Sequence, residues 1–164
     1  MEHFCSCIEN QTVYPILIKN NGNRYFTLYY YTERSDSVLH KETKSILYFP
    51  STEHMEDFCK KNDLQIASEV AEYDFEEPME NPIDYQRVLH NWNLLNTIAN
   101  ALNMSFEGDG KKYNSLYELL FRLNTSGEPI PPTYQLCEKN YKYILKVFRK
   151  KDRFLNRFEL YSKK

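Results

Sequence analysis

The chain has 164 residues, of which 41% are apolar and 27% are charged, and its formal net charge is −2 at pH 7. This length and composition suit one globular domain over residues 1–164 with a single hydrophobic core, and they exclude a disordered or fibrous protein. No apolar run approaches the length of a membrane span, and the N-terminus lacks the features of a signal peptide, so we expect a cytoplasmic protein without membrane contact.

A β-hairpin is predicted for residues 12–32. Two runs rich in β-branched and aromatic residues, TVYPILIK and RYFTLYYYT, flank the dipeptide Asn21-Gly22. Asn and Gly tolerate the positive φ that both central residues of a type I′ turn require, so the turn sets the strand register. By that count Tyr14 pairs with Tyr29 and Ile18 with Tyr25.

A third strand is predicted at residues 45–49, where Pro50 ends it, and a helix follows at once. Ser51 suits the N-cap of this helix and Asn62 suits its end, while Met55, Phe58 and Cys59 form its apolar face. Residues 64–67 are predicted to form a further short strand. The polar residues 33–43 are expected to form a loop.

The strongest periodic signal in the chain is a long amphipathic helix over residues 81–103. Asn81 is the predicted cap, Pro82 suits the first helical position, and Asp84 favours the positive end of the helix dipole. One face repeats at the three-four spacing of a buried helix, and its members are Tyr85, Val88, Leu89, Trp92, Leu95, Ala99 and Leu102.

Two further helices are predicted beyond this central helix. The first covers residues 115–124, with Ser115 and Glu118 as a capping box. The second has apolar positions that begin with Tyr134 and Cys137 and end with Phe148. Residues 153–161 favour a strand, with a helical continuation as the alternative. The fold class is therefore α+β: a small, mainly antiparallel sheet, made by the hairpin and the third strand, packs against the central helix and the further helices.

Motifs for catalysis, cofactors or metals are scarce. The four glycines form no phosphate-binding loop, and no histidine stands beside a nucleophile in a known motif, so we expect neither a cofactor nor an enzyme. His3, Cys5 and Cys7 offer zinc-type ligands without a fourth. The carboxylates of Glu107, Asp109 and Glu118 have calcium-loop spacing, but lysines stand at positions five and six of that loop, so we expect no metal site.

Charge is distributed unevenly along the chain. Residues 1–137 carry 11 Lys or Arg against 20 Asp or Glu, and residues 138–164 carry 10 against 3. The basic segment interleaves lysine and arginine with Tyr and Phe, which is a pattern of RNA-binding proteins, and the alternative function is a small RNA-binding protein or an enzyme that uses this segment. Because the acidic part of the chain would repel a polyanion, we expect no nucleic-acid partner and keep this function as the alternative.

The segment of residues 69–80 concentrates six carboxylates and no basic residue. Carboxylates beside aromatic rings suit the capture of a basic protein surface, because opposed charges speed association and buried rings supply affinity. The predicted partner-binding residues are Glu69, Glu72, Tyr73, Asp74, Phe75, Glu76, Glu77 and Glu80.

The chain resembles the immunity proteins of bacterial polymorphic toxins, and those of contact-dependent growth inhibition loci in particular. The resemblance rests on size, on the hairpin, on the strand-helix unit SILYFPSTEHMEDFCKKNDL and on the long central helix. It implies a non-enzymatic inhibitor whose partner is a cognate toxin domain, a basic nuclease, and which blocks the toxin's active site or substrate path. No binding residue is carried over from that family by position.

Overall fold

The computed structural model describes residues 11–80, 82–127 and 135–162. His3, Cys5, Cys7, Asn81 and Tyr134 therefore lie outside the described residues. The fold is α+β, as predicted, and its sheets contain both antiparallel and parallel strand pairs.

The central sheet is built around the hairpin. Strands β1 (Thr12–Asn20) and β2 (Asn23–Tyr31) pair antiparallel with Tyr14 opposite Tyr29 and Ile18 opposite Tyr25. Asn21 and Gly22 both have positive φ, at 50° and 79°. These values confirm the turn and the register that the dipeptide predicted.

Further strands extend the sheet on both sides of the hairpin. Strand β3 (Asp36–Val38) pairs antiparallel with β2, inside the segment predicted as a loop. Strands β6 (Gln65–Ile66) and β7 (Ala71–Asp74) both pair parallel with β1, one after the other along its free side. Parallel pairing needs a long crossover connection, which here contains β2, β3, two further strands at residues 40–41 and 45–48, and the first helix.

A second, three-stranded sheet contains the predicted third strand. Strand β5 (Ser45–Tyr48) lies between β4 (His40–Lys41) and β8 (Phe158–Leu160), antiparallel to the first and parallel to the second. A single bridge between Phe26 and Phe49 links it to the hairpin. The C-terminal segment is thus a short helix, α5 (Asp152–Leu155), followed by the strand that the sequence favoured.

Helix α1 (Thr52–Lys61) has the predicted limits. The Ser51 side chain accepts a hydrogen bond from the His54 N–H, and Asn62 ends the helix. Phe58 and Met55 pack with Phe49 and Leu28 in a core cluster between α1 and the hairpin.

The central helix is α2 (Tyr85–Ala101), and its cap and first residue lie three positions later than predicted. Asp84 is its cap, because its carboxylate accepts a hydrogen bond from the Arg87 N–H. Trp92 and Leu95 are buried as predicted, whereas Leu89 is only partly buried. Asn91, Leu94 and Ile98 are buried in addition, since α2 contacts the sheet on one side and the helix of residues 114–125 on another.

Helices α3 (Asn114–Thr125) and α4 (Glu138–Arg149) complete the main core cluster around Trp92. The predicted capping box of α3 is wrong, because Tyr113 is the N-cap and no side chain bonds the first turn. Two short 3₁₀ turns, Glu107–Asp109 and Lys111–Tyr113, directly precede α3 in the chain. Cys137 is exposed ahead of α4, so its assignment to the apolar face of that helix is also wrong.

Candidate functional site

The predicted binding segment is an ordered edge of the central sheet. Residues 71–74 form β7, and the register places Leu17 opposite Glu72 and Lys19 opposite Asp74. Adjacent residues of a strand point to opposite faces, so Ala71 and Tyr73 lie on one face while Glu72 and Asp74 lie on the other. Four residues of the acidic segment therefore have a fixed register against β1.

Tyr73 and Phe75 do not form part of an exposed contact surface. Tyr73 is 9% exposed and Phe75 is 5% exposed, and both belong to the main core cluster. Burial raises the pKa of the Tyr73 hydroxyl to about 12. The expectation that either ring enters a partner is therefore corrected, because exposing the rings would require β7 to leave the core.

Helix α2 covers the outer edge of β7. The Phe75 N–H bonds the Lys19 carbonyl, and alternation along the strand directs the main-chain groups of Glu72 and Asp74 away from β1. The Asn91 amide donates to the Asp74 carbonyl at 3.0 Å, and the His90 ring bonds the backbone of Glu72. An added strand would have to displace these side chains, so the side chains of β7, rather than its backbone, are available to a partner.

Four of the carboxylates have partners within the chain. Glu72 forms an ion pair with Lys19 at 3.2 Å, and Glu77 forms one with Arg87 at 2.9 Å. Glu76 accepts a hydrogen bond from the Gly22 N–H, which ties the segment to the hairpin turn. The Asp74 carboxylate accepts hydrogen bonds from the N–H groups of Glu76 and Glu77 and so closes a local turn.

The remaining two carboxylates, Glu69 and Glu80, are exposed and carry no ion pair with any residue in the described ranges. Within residues 69–80 the six carboxylates are thus opposed by two basic side chains, Lys19 and Arg87. The surface of the segment retains a net negative charge, with its carboxylates held at positions fixed by the sheet.

Exposed aromatic rings lie beyond the Ala71 end of β7, on the face of the sheet that carries Tyr73 rather than the face that carries Glu72 and Asp74. Tyr14 is 39% exposed and Tyr31 is 55% exposed, and their ring centroids are 5.4 Å apart in an edge-to-face arrangement. Tyr29 packs against Tyr31 and donates a hydrogen bond to Asp36. Val70, which is 37% exposed, directly precedes β7.

We call residues 69–80 together with Tyr14, Tyr31 and their neighbour Tyr29 the acidic-aromatic edge. The tyrosines were not among the predicted site residues, although the hairpin register already placed Tyr14 beside Tyr29. Tyr29 packs partly against the main core cluster whereas Tyr14 and Tyr31 stay exposed, and the strand register alone does not predict this difference. An apolar patch bordered by charges is the usual composition of a protein-binding surface.

The histidines and carboxylates that the sequence offered as candidate bases or metal ligands make contacts within the fold. His54 Nδ1 lies 2.6 Å from the Ser51 hydroxyl, which is a local contact across the first turn of α1, and the His40 ring bonds the Val38 carbonyl. Glu107 accepts a hydrogen bond from the Tyr113 hydroxyl at 2.6 Å, so it is engaged outside any calcium-loop geometry. Among the described residues no three His, Cys, Asp or Glu side chains are grouped as metal ligands would be.

Two clefts on the surface have the size of small-molecule sites. One, of about 320 Å³, lies over Trp92 and is lined by polar side chains that include Asn93, Asn96 and Asp109. The other, of about 390 Å³, lies beside α1 and has Phe49 and Phe58 in its wall. Neither cleft brings a nucleophile together with a base beyond the local Ser51 and His54 contact.

No helix in the described part of the chain is both long and apolar enough to cross a membrane.

Comparison with known proteins identifies the fold alone. No protein-family model and no curated protein sequence matches the chain. Its fold is similar to that of the SatS C-terminal domain, known from a crystal structure in complex with bromine. The TM-score is 0.59 over 91% of this chain and 94% of that chain, at 15% sequence identity. At this identity the likeness supports the α+β architecture and carries no residue roles.

Proposed function

We propose that this chain is an immunity protein that binds a cognate bacterial toxin domain, a basic nuclease, and blocks the toxin's active site or substrate path. The observation that carries the proposal is the acidic-aromatic edge. Its carboxylates are anchored along a sheet edge, and its exposed tyrosines lie beyond the Ala71 end of the same strand. A preorganised surface loses less entropy on binding than a mobile loop would.

The chemistry of the partner follows from the charge. A nuclease holds phosphate with cationic side chains, and carboxylates spaced along a strand present anionic groups to the same residues. Tyr14 and Tyr31 supply exposed rings that can be buried in the contact. Occupation of the cationic residues by this edge would exclude the nucleic-acid substrate. Protection of a cell requires near-nanomolar affinity, which corresponds to about −12 kcal/mol.

The decisive experiment uses the product of the gene immediately upstream, purified as the candidate toxin. Calorimetry should show saturation at one equivalent, and the toxin's nuclease activity should fall in proportion to the complex formed. The chain alone should hydrolyse no nucleic acid. Intrinsic ribonuclease activity in a clean preparation, or the absence of any complex, would overturn the proposal.

The surface is tested by charge reversal at Glu69 and Glu72, because neither carboxylate supports the local turn. Glu69→Lys/Glu72→Lys should slow association and flatten its salt dependence, since charges steer the encounter of the two proteins. Glu56→Lys/Glu118→Lys changes the same charge at exposed helical positions and serves as the control. Equal on-rates for the two variants at low and high salt would place the toxin elsewhere on the surface.

A further inference from the structure

Three lysines converge on one carboxylate on the side of the molecule formed by α4 and the 3₁₀ turns. Lys150 Nζ lies 2.9 Å from a Glu107 oxygen, while Lys146 Nζ and Lys112 Nζ lie 3.6 and 3.8 Å from the other. The Tyr113 hydroxyl donates to that second oxygen at 2.6 Å. Three ammonium groups thus share a single negative charge.

The lysines of this cluster retain much of their capacity to bind anions. Lys146 and Lys112 stand beyond hydrogen-bond distance of Glu107, and each ammonium carries three donors. All three side chains are between 42% and 47% exposed, whereas Glu107 is 19% exposed. The carboxylate therefore lies beneath the ammonium groups, which face solvent with a net charge of +2.

The cluster continues along one face of α4. Lys139, Tyr143, Lys146 and Lys150 follow one another at intervals of four, three and four residues, which places them in a line on the helix surface. We call these four residues and Lys112 the basic stripe. It spans about 16 Å at 1.5 Å per residue. Lys139 Nζ lies 5.7 Å from the Tyr143 ring centre, and Tyr143 packs edge-to-face on Tyr113.

The structure separates this stripe from the acidic-aromatic edge. The opposite side of α4 faces the core with Ile144 and Phe148. On that side Tyr141 donates a hydrogen bond to the Met79 carbonyl. Lys151, which follows the helix in the chain, donates one to the Phe75 carbonyl. The helix therefore lies between the acidic segment and the basic stripe. The repulsion inferred from the summed charge of the chain does not apply at a surface where the local charge is positive.

We propose that the basic stripe binds the phosphate backbone of a single-stranded nucleic acid, with Tyr143 as a stacking surface for one base. An open helix face about 16 Å long suits an extended polyanion, and aromatic rings between cations are the usual composition of single-strand sites. Four lysines opposed by Glu107 leave three effective positive charges for phosphate contacts. The inference does not depend on the toxin-binding proposal, because none of its residues belongs to the acidic-aromatic edge.

The test measures fluorescence anisotropy of a labelled 12-nucleotide oligouridine with the full chain, from 25 to 200 mM salt. Three effective phosphate contacts predict a slope of about −2 for log affinity against log salt. Lys146→Ala/Lys150→Ala should weaken binding at every salt concentration and reduce the slope to about −0.7, because one effective contact remains. Lys60→Ala/Lys61→Ala removes the same charge from exposed positions of α1 and should leave the affinity and the salt slope unchanged.

Glu107→Gln tests the same site with a variant that is expected to strengthen binding rather than weaken it. The amide keeps an acceptor for the Tyr113 hydroxyl and removes the competing negative charge, so binding should tighten and the slope should approach −3. Poly-glutamate of matched charge serves as the peptide probe. Equal affinity of poly-glutamate and oligouridine would overturn the assignment to nucleic acid. Unchanged oligouridine affinity in Lys146→Ala/Lys150→Ala, with circular dichroism showing a folded protein, would overturn the site itself.

Discussion

The His90 ring lies flat on the Tyr73 ring, with centroids 3.9 Å apart and an angle of 2° between the ring planes. Through this contact the central helix α2 holds the edge strand β7 in place. The same histidine bonds the backbone of Glu72, and the neighbouring Asn91 bonds the carbonyl of Asp74. Two adjacent residues of α2 thus position the strand that presents the acidic-aromatic edge.

The first prediction concerns pH and His90. Partial desolvation of the ring, one face of which lies on Tyr73, lowers the pKa of His90 from its ordinary value of 6.5, so the unfolded chain binds this proton more readily than the folded chain. Stability linked to His90 is full above about pH 6.5 and is lost as the pH falls toward the lowered folded pKa. Urea unfolding at pH 8, 7, 6 and 5 should show this loss in the parent, and a smaller loss in His90→Gln. Parallel pH profiles for the two proteins would disprove the role assigned to His90.

The second prediction concerns Glu107 in acid. The hydrogen bond from Tyr113, together with that from Lys150, lowers the pKa of Glu107 to about 2. Because the folded pKa is depressed, the stabilising contribution is present above the ordinary value near 4.5 and is lost as the pH falls toward 2. Glu107→Gln should show a shallower fall of unfolding midpoint between pH 4.5 and pH 2 than the parent. An unaltered acid profile in this variant would mean that Glu107 contributes nothing to acid unfolding.

The third prediction concerns the close approach of Gly108 to Trp92. A Cβ atom at Gly108 would lie 2.7 Å from two atoms of the Trp92 indole and 2.6 Å from the Phe106 ring. Gly108→Ala should therefore cost about 1–3 kcal/mol of unfolding free energy, as overpacking does in a well-filled core. Gly110→Ala is the matched control, since its Cβ would meet no atom closer than 3.3 Å. Equal unfolding midpoints in urea for the two variants would refute this account of the core.

The fourth prediction concerns Asp74. Its carboxylate accepts two main-chain hydrogen bonds at the end of β7, at 2.8 and 3.2 Å. Asp74→Ala should cost about 1–2 kcal/mol, because hydrogen bonds to a charged acceptor are lost and the turn loses its closure. Glu69→Ala, which removes no contact made by the described residues, should stay within about 0.5 kcal/mol of the parent in the same urea titration.

The sequence alone determined the local elements of this fold. The dipeptide Asn21-Gly22 requires a turn with two positive φ values, and that turn sets the pairing of Tyr14 with Tyr29 before any other contact forms. Ser51 and Asn62 likewise mark the limits of α1, because capping depends on atoms within one helical turn. The apolar spacing around Trp92 identified the helix at the centre of the core.

Only the tertiary structure decided where the acidic segment and the basic segment lie. Parallel pairing of β7 with β1 joins residues separated by more than fifty positions, and no local pattern encodes that register. The same pairing directs Tyr73 and Phe75 into the core, so their apolar character reports burial rather than a binding surface. The convergence of Lys112, Lys146 and Lys150 on Glu107 arises likewise from the packing of α4 against the 3₁₀ turns. The local energetic preferences of the chain specify its helices and its hairpin, whereas both proposed surfaces depend on long-range contacts that form only in the folded protein.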